Sequence, residues 1–304
     1  MPTDSGGPPD HRDVLFVSGF HRSGTTVVAA SATVACGGAT VTAGDLARHI
    51  PSLRRFLEAA GSRVRAPDRG VDRLAVTAST PEEYGWLLHH LTGDYAFGAR
   101  ASRAGLLDAL VDQVAEGSGA GTVVLKNPWD TGRELALLRH FPGSRVLLVR
   151  REFAAMEDSM VRAWQRLVSS SGYQRALIGN RAKAAELLGV LMDERKRAAL
   201  IRDSRRRVRR EALRLALTAG RLPPDRVAFV SYDELRRDPR AGAAWAAHVL
   251  DPEAFARAFA ASTFAEYHRG GRGDRVCRAL DRLLALAWRR ARAKQVRMGV
   301  LPPS

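Results

Sequence analysis

Two cysteines, Cys36 and Cys277, are all that the 304 residues contain. Two thiols build no disulfide framework, and their spacing fits no metal site. The sequence therefore predicts two buried thiols in a reducing compartment, the cytoplasm. Long apolar runs are missing too, and none approaches the roughly 18–20 residues that span a bilayer. The opening stretch "MPTDSGGPPDHRD" lacks the apolar segment of a secretory signal, and residues 1–13 are expected to form a disordered tail. Aromatic residues make up only 7%. Acidic residues are scarce: 32 Asp and Glu against 48 Lys and Arg, a net charge of +16. This imbalance favours anionic partners, whether phosphates, sulfates, nucleic acid or an anionic membrane, and does not choose among them.

What is present reads as a globular α/β chain, 45% hydrophobic and 26% charged. "VLFVS" (14–18), "GTVVLKNP" (121–128), "SRVLLVR" (144–150) and "DRVAFVSYDEL" (225–235) read as strands, with the last reaching the polar Tyr-Asp-Glu. Helical patterns lie between them. "TTVVAASATVA" (25–35) is small and apolar, and the stretch 42–61 is helical with a break near Pro51 and a stop at Gly61. Thr80 and Pro81 read as the cap and first residue of another helix, while residues 62–80 have no period. One long helical pattern runs from Phe153 to Leu217, with an arginine-rich insert at about 165–220.

Strands alternating with helices predict a single α/β domain over 14–304, a central parallel sheet flanked by helices. Ligands of such sheets bind beyond the carboxyl ends of the strands. The residues found there are Gly19–Thr26, Lys126, Arg150 with Arg151, and Tyr232–Glu234.

The most informative stretch is "GFHRSGTT" (Gly19–Thr26). A glycine-rich turn between strand and helix exposes backbone N–H groups at the helix N-terminus, where the helix dipole also attracts an anion. The loop has the length of a nucleotide-hydrolysing P-loop, but Thr25 stands where that loop carries Lys, and Arg22 lies inside the turn. No strand ends in the Asp that would bind Mg²⁺. A P-loop kinase or NTPase is therefore the weaker reading.

The string resembles the 5′-phosphosulfate loop of sulfotransferases that use 3′-phosphoadenosine 5′-phosphosulfate (PAPS), in particular their bacterial branch. The resemblance implies a P-loop-like sulfotransferase fold, PAPS as co-substrate and no metal. It places Gly19, Ser23, Gly24, Thr25 and Thr26 around the 5′-phosphate, and Arg22 on the bridging oxygen and sulfuryl group. "VVLKNP" is similar to the family's Lys-x-Pro turn, making Lys126 a second cation. The family's Arg and Ser that grip the 3′-phosphate, eight positions apart, match Arg151 and Ser159. Starting from Arg150 would put Asp158 against a phosphate, so the Arg151 register is preferred; Phe153 stands where the family has Pro. "VSYDELRRDP" (230–239) places Tyr232 near the adenosine, with Asp233 and Glu234 expected to cap the next helix. "HRGGRGD" (268–274) resembles the closing segment, assigning Arg269 and Gly270 to the 3′-phosphate. The resemblance spans about residues 14–274.

The acceptor needs a base within hydrogen-bond reach. Cytosolic members have a His where this chain has Pro128. In "TAGDLARHI", Asp45 is the leading base and His49 the runner-up, with Glu83 of "TPEEYGW" third. His21 is expected to pack or face solvent. The expected acceptor is a small molecule, natural product, glycolipid or glycan. The run 195–214 suggests either nucleic acid or an anionic membrane surface. Nucleic acid is disfavoured, because no aromatic residue interleaves the run.

Overall fold

The computed structural model describes residues 13–61, 75–167, 171–262 and 274–302. Residues 1–12 of the expected 1–13 tail, the core of the expected loop at 62–74, and Arg269 with Gly270 lie outside the described residues, whereas Asp13 already belongs to a strand. The strands are β1 (Asp13–Ser18), β2 (Ala39–Thr40), β3 (Thr122–Lys126), β4 (Arg145–Arg150) and β5 (Val227–Ser231), in the order β2-β3-β1-β4-β5 with every pair parallel.

The strands are apolar along their whole length because both sheet faces are covered. Successive side chains leave on opposite faces. Val14, Phe16, Val123, Leu125, Val146, Leu148 and Phe229 enter one core; their neighbours Leu15, Val17, Val124, Leu147, Val149 and Ala228 enter the other. The parallel α/β architecture expected from the alternation of strands and helices is thus the one observed. β2 has only two residues, too few for a period, and was not legible in the sequence.

The helices are α1 (Thr25–Ala35), α2 (Ala43–Ala47), α3 (Pro51–Gly61), α4 (Gly85–Thr92), α5 (Ala99–Arg103), α6 (Leu106–Ser118), α7 (Glu134–His140) and α8 (Phe153–Leu167). They continue with α9 (Ser171–Ile178), α10 (Arg181–Met192), α11 (Glu194–Thr218), α12 (Tyr232–Arg237), α13 (Pro239–Ala243), α14 (Pro252–Ala261) and α15 (Arg275–Arg297). α1, α12, α13 and α14 supply the second core. α2, α3, α4, α6, α8, α11 and α15 supply the first.

Three expectations are corrected. The long pattern 153–217 is four helices, not one. Gly179 takes the left-handed φ of 71°, and Asn180 caps α10 by accepting from Lys183 N at 3.1 Å. Asp193 caps α11 in the same way at 3.0 Å. Thr80 caps no helix: its hydroxyl accepts from Thr77 N (2.8 Å), and Pro81 bridges antiparallel to Thr42, so α4 begins only at Gly85. β5 stops at Ser231, whose hydroxyl caps α12; Asp233 and Glu234 sit in that helix's first turn, where Asp233 accepts from Glu152 N (2.7 Å) and Glu234 pairs with Arg292.

Candidate active site

β1 lies at the centre of the sheet, between β3 and β4, and the chain leaves its end into the Gly19–Gly24 turn. Gly19 has φ 148°, and a Cβ there would stand 2.5 Å from the Val149 carbonyl oxygen. Ser23 N closes the turn onto Phe20 O at 3.0 Å. Gly24 has φ 94°, and a Cβ there would meet the Tyr232 ring at 2.2 Å. Both glycines are thus demanded by backbone conformation and by close approach. Arg22 is the one described non-glycine residue with positive φ, at 70°. A residue held in that region implies that its surroundings over-determine it. Arg151 donates to the Arg22 carbonyl (3.0 Å), and the Arg22 Nε donates to Ser159 Oγ (3.1 Å).

Gly24 is the N-cap of α1 and supplies no side-chain cap, so the first N–H groups of the helix are left without one. The Ser23 hydroxyl is fully buried and has no hydrogen-bond partner among the described residues. A buried hydroxyl without a partner beside an uncapped helix start is suited to an oxyanion.

Lys126 ends β3 and is 2% exposed. Its ammonium donates to Thr26 Oγ1 at 3.0 Å and to Glu83 Oε1 at 3.1 Å. Glu83 reaches it from the extended segment before α4. Glu82 N bonds to Val41 O (2.8 Å), and the Glu82 carboxylate instead accepts from Tyr173 at 2.7 Å. Glu83, the third base candidate, is therefore the one brought to the site.

The structure does not bring Asp45 or His49 there. The Asp45 carboxylate accepts from Thr42 N (3.0 Å) and from the Thr42 hydroxyl (2.7 Å), forming a capping box for α2. His49 is exposed and bonds to Gln113 at 2.8 Å. The Gly-Asp pairing in the sequence is a helix start, and its carboxylate is committed to the backbone.

On the opposite side of the turn, Arg151 and Ser159 both converge on Arg22, and the Arg151 guanidinium lies 5.5 Å from the Tyr232 ring centroid. Arg150 instead lies within electrostatic reach of Asp281. Burial pushes Asp281 up to about 6, with the Phe153 N–H and the Arg150 charge among the opposing effects. A cavity of about 270 Å³ adjoins Tyr232, lined also by Val27, Leu235, Arg236 and Phe259.

His21 sits inside the turn, edge-on to Trp129 with ring centroids 4.6 Å apart. Burial lowers its pKa below the usual histidine value; Glu83 opposes this, while Lys126 and Arg22 add to it. Its place beside Glu83 and Lys126 was not legible, since 62 and 105 residues separate the three along the chain. Among the described residues no group of His, Cys, Asp or Glu could hold a metal ion, and no helix is long and apolar enough to cross a membrane.

Known proteins share this backbone fold. The backbone is similar to the sulfotransferase STF9 from Mycobacterium avium, at 19% identity and a TM-score of 0.57, covering 95% of this chain and 77% of that one. It is also similar to the sulfotransferase STF1 from Mycobacterium tuberculosis H37Rv, at 16% identity and a TM-score of 0.50, covering 90% and 76%. At these identities the likeness establishes the fold. No curated protein is a significant match. The family model described as "Sulfotransferase family" matches residues 14–251, well over half of the chain, and the protein belongs to that family.

Proposed function

We propose that the protein transfers the sulfuryl group of PAPS to a hydroxyl or amine of an acceptor such as a carbohydrate, glycolipid or natural product. The observation that carries this reading is the contact chain Thr26–Lys126–Glu83, which joins the helix start, a buried cation and a carboxylate within hydrogen-bond distance. The donor supplies the sulfuryl group and a bisphosphate leaving group. The partnerless Ser23 hydroxyl and the uncapped start of α1 fit its 5′-phosphate. Gly19, Gly24, Thr25 and Thr26 would complete that cradle.

Charge grows on the bridging oxygen as the S–O bond breaks, and fixed cations stabilise that state more than the ground state. Lys126 and Arg22 would serve there. Glu83 would take the proton that the acceptor loses as its oxygen or nitrogen bonds to sulfur. Arg151 and Ser159 would hold the 3′-phosphate, with Tyr232 and the cavity beside it receiving the adenosine. Arg269 and Gly270, which the resemblance assigns to the same phosphate, lie outside the described residues.

Calorimetric titration with adenosine 3′,5′-bisphosphate, with ADP and ATP as controls, tests the reading. The bisphosphate should bind more tightly than ADP, and Arg22→Ala should weaken it about tenfold, equivalent to about 1.4 kcal/mol. Tighter binding of magnesium ATP, or no binding of the bisphosphate, would overturn PAPS as the donor.

A further inference from the structure

The charge of this chain is unevenly spread. α11 carries ten Lys or Arg against three Asp or Glu, and α15 eight against one. The pair holds fourteen of the sixteen net positive charges. The same pair gathers exposed apolar side chains. Leu213, Leu217, Val276, Leu283 and Leu286 lie on the two helices, and Met192 and Met298 lie just outside their ends. Among the described residues, only Val34 and Leu91 are large, apolar and comparably exposed elsewhere.

On each helix, basic residues and leucines share one side. On α11, Arg195, Arg202, Arg206, Arg210, Leu213 and Leu217 succeed one another at three, four or seven positions, which is one side of a helix. On α15, Arg275, Arg282, Leu286 and Arg289 do the same. The opposite sides, Ala212 and Leu215 of α11 and Leu280, Leu284 and Trp288 of α15, are buried in one core. Arg209 of α11 also donates to Asp274, the cap of α15, at 2.8 Å. The two helices are thus neighbours on a shared core, and each leaves a basic, leucine-bearing side exposed.

We propose that this α11–α15 face docks the protein on an anionic lipid bilayer. The arginines meet headgroup phosphates, and the leucines enter the boundary between headgroups and acyl chains. A nucleic acid would answer the arginines but leave the leucines in water. No aromatic side chain stands among these outer residues to stack on bases.

Vesicle flotation with the full chain tests this, using phosphatidylcholine alone and phosphatidylcholine with about one third phosphatidylglycerol. Partitioning is expected only into the anionic vesicles and should fall as salt rises. The triple variant Arg202→Gln, Arg210→Gln, Arg282→Gln should weaken it about a hundredfold, at roughly fivefold per charge. The triple variant Leu213→Ser, Leu217→Ser, Leu286→Ser should weaken vesicle binding about tenfold and leave retention on duplex DNA unchanged. Circular dichroism and bisphosphate binding confirm that each variant is folded; one that is not is replaced by its single substitutions. Equal partitioning into neutral vesicles, no partitioning into anionic ones, or vesicle binding indifferent to the leucines would overturn the proposal.

Discussion

Two cations flank the turn after β1, and they are held in different ways. Lys126, from β3, is fixed by a side-chain hydroxyl and a carboxylate, Thr26 and Glu83. Arg151, just past β4, is fixed by a backbone carbonyl, that of Arg22, and lies by the Tyr232 ring. The β3 side thus pairs a cation with a group able to accept a proton, whereas the β4 side pairs one with a carbonyl that cannot. Chemistry is expected from the first side and binding from the second.

Lys126→Met should have the largest effect, lowering kcat by about a thousandfold while changing bisphosphate affinity much less, if Lys126 stabilises charge at the leaving oxygen as proposed. Glu83→Gln follows, with a loss of about a hundredfold in kcat and a KM for the donor near that of the wild type. Arg151→Ala should reverse the split: the bisphosphate Kd rises about tenfold and kcat changes little. If Arg151→Ala instead lowers kcat as Lys126→Met does, the two sides are not specialised.

Smaller effects sharpen the comparison. Asp45→Ala should cost about 1 kcal/mol of stability in denaturant unfolding, as removal of a helix cap does, and leave kcat within about twofold. A collapse of kcat would favour Asp45 over Glu83 as the base. His21, between the two sides, is held below its unfolded value of 6.5 mainly by burial. Below pH 6.5 the unfolded chain takes up the proton more readily than the native state does. Stability is therefore lost as pH falls from 6.5 toward the lowered native value, and His21→Asn should remove that share of the loss, read as the pH dependence of Tm.

Much of the fold was legible because β1, β3, β4 and β5 are buried on both faces and read as continuous apolar runs. The turn was legible for a local reason. Gly19 and Gly24 need conformations that few other residues adopt, so the string itself carries the geometry. Which carboxylate meets Lys126 was not legible. Asp45 follows a glycine at a helix start, and a carboxylate there serves the backbone N–H groups as readily as a substrate. Glu83 follows a Thr-Pro-Glu string that reads as a helix cap, but Pro81 is drawn into a bridge with Thr42, which keeps the segment extended. Glu82 then turns to Tyr173, and Glu83 turns to Lys126.

By itself, the sequence determined the parallel α/β sheet, the glycine turn after β1 and the excess of arginine. These depend on short-range rules: the period of burial, the conformational needs of glycine, and composition. The tertiary structure alone decided which carboxylate faces Lys126, which of Arg150 and Arg151 reaches the turn, and that the basic helices α11 and α15 lie side by side. Each of these depends on residues tens to more than a hundred positions apart. Their meeting follows from strand order and from which side of a segment is buried, and no local pattern records either.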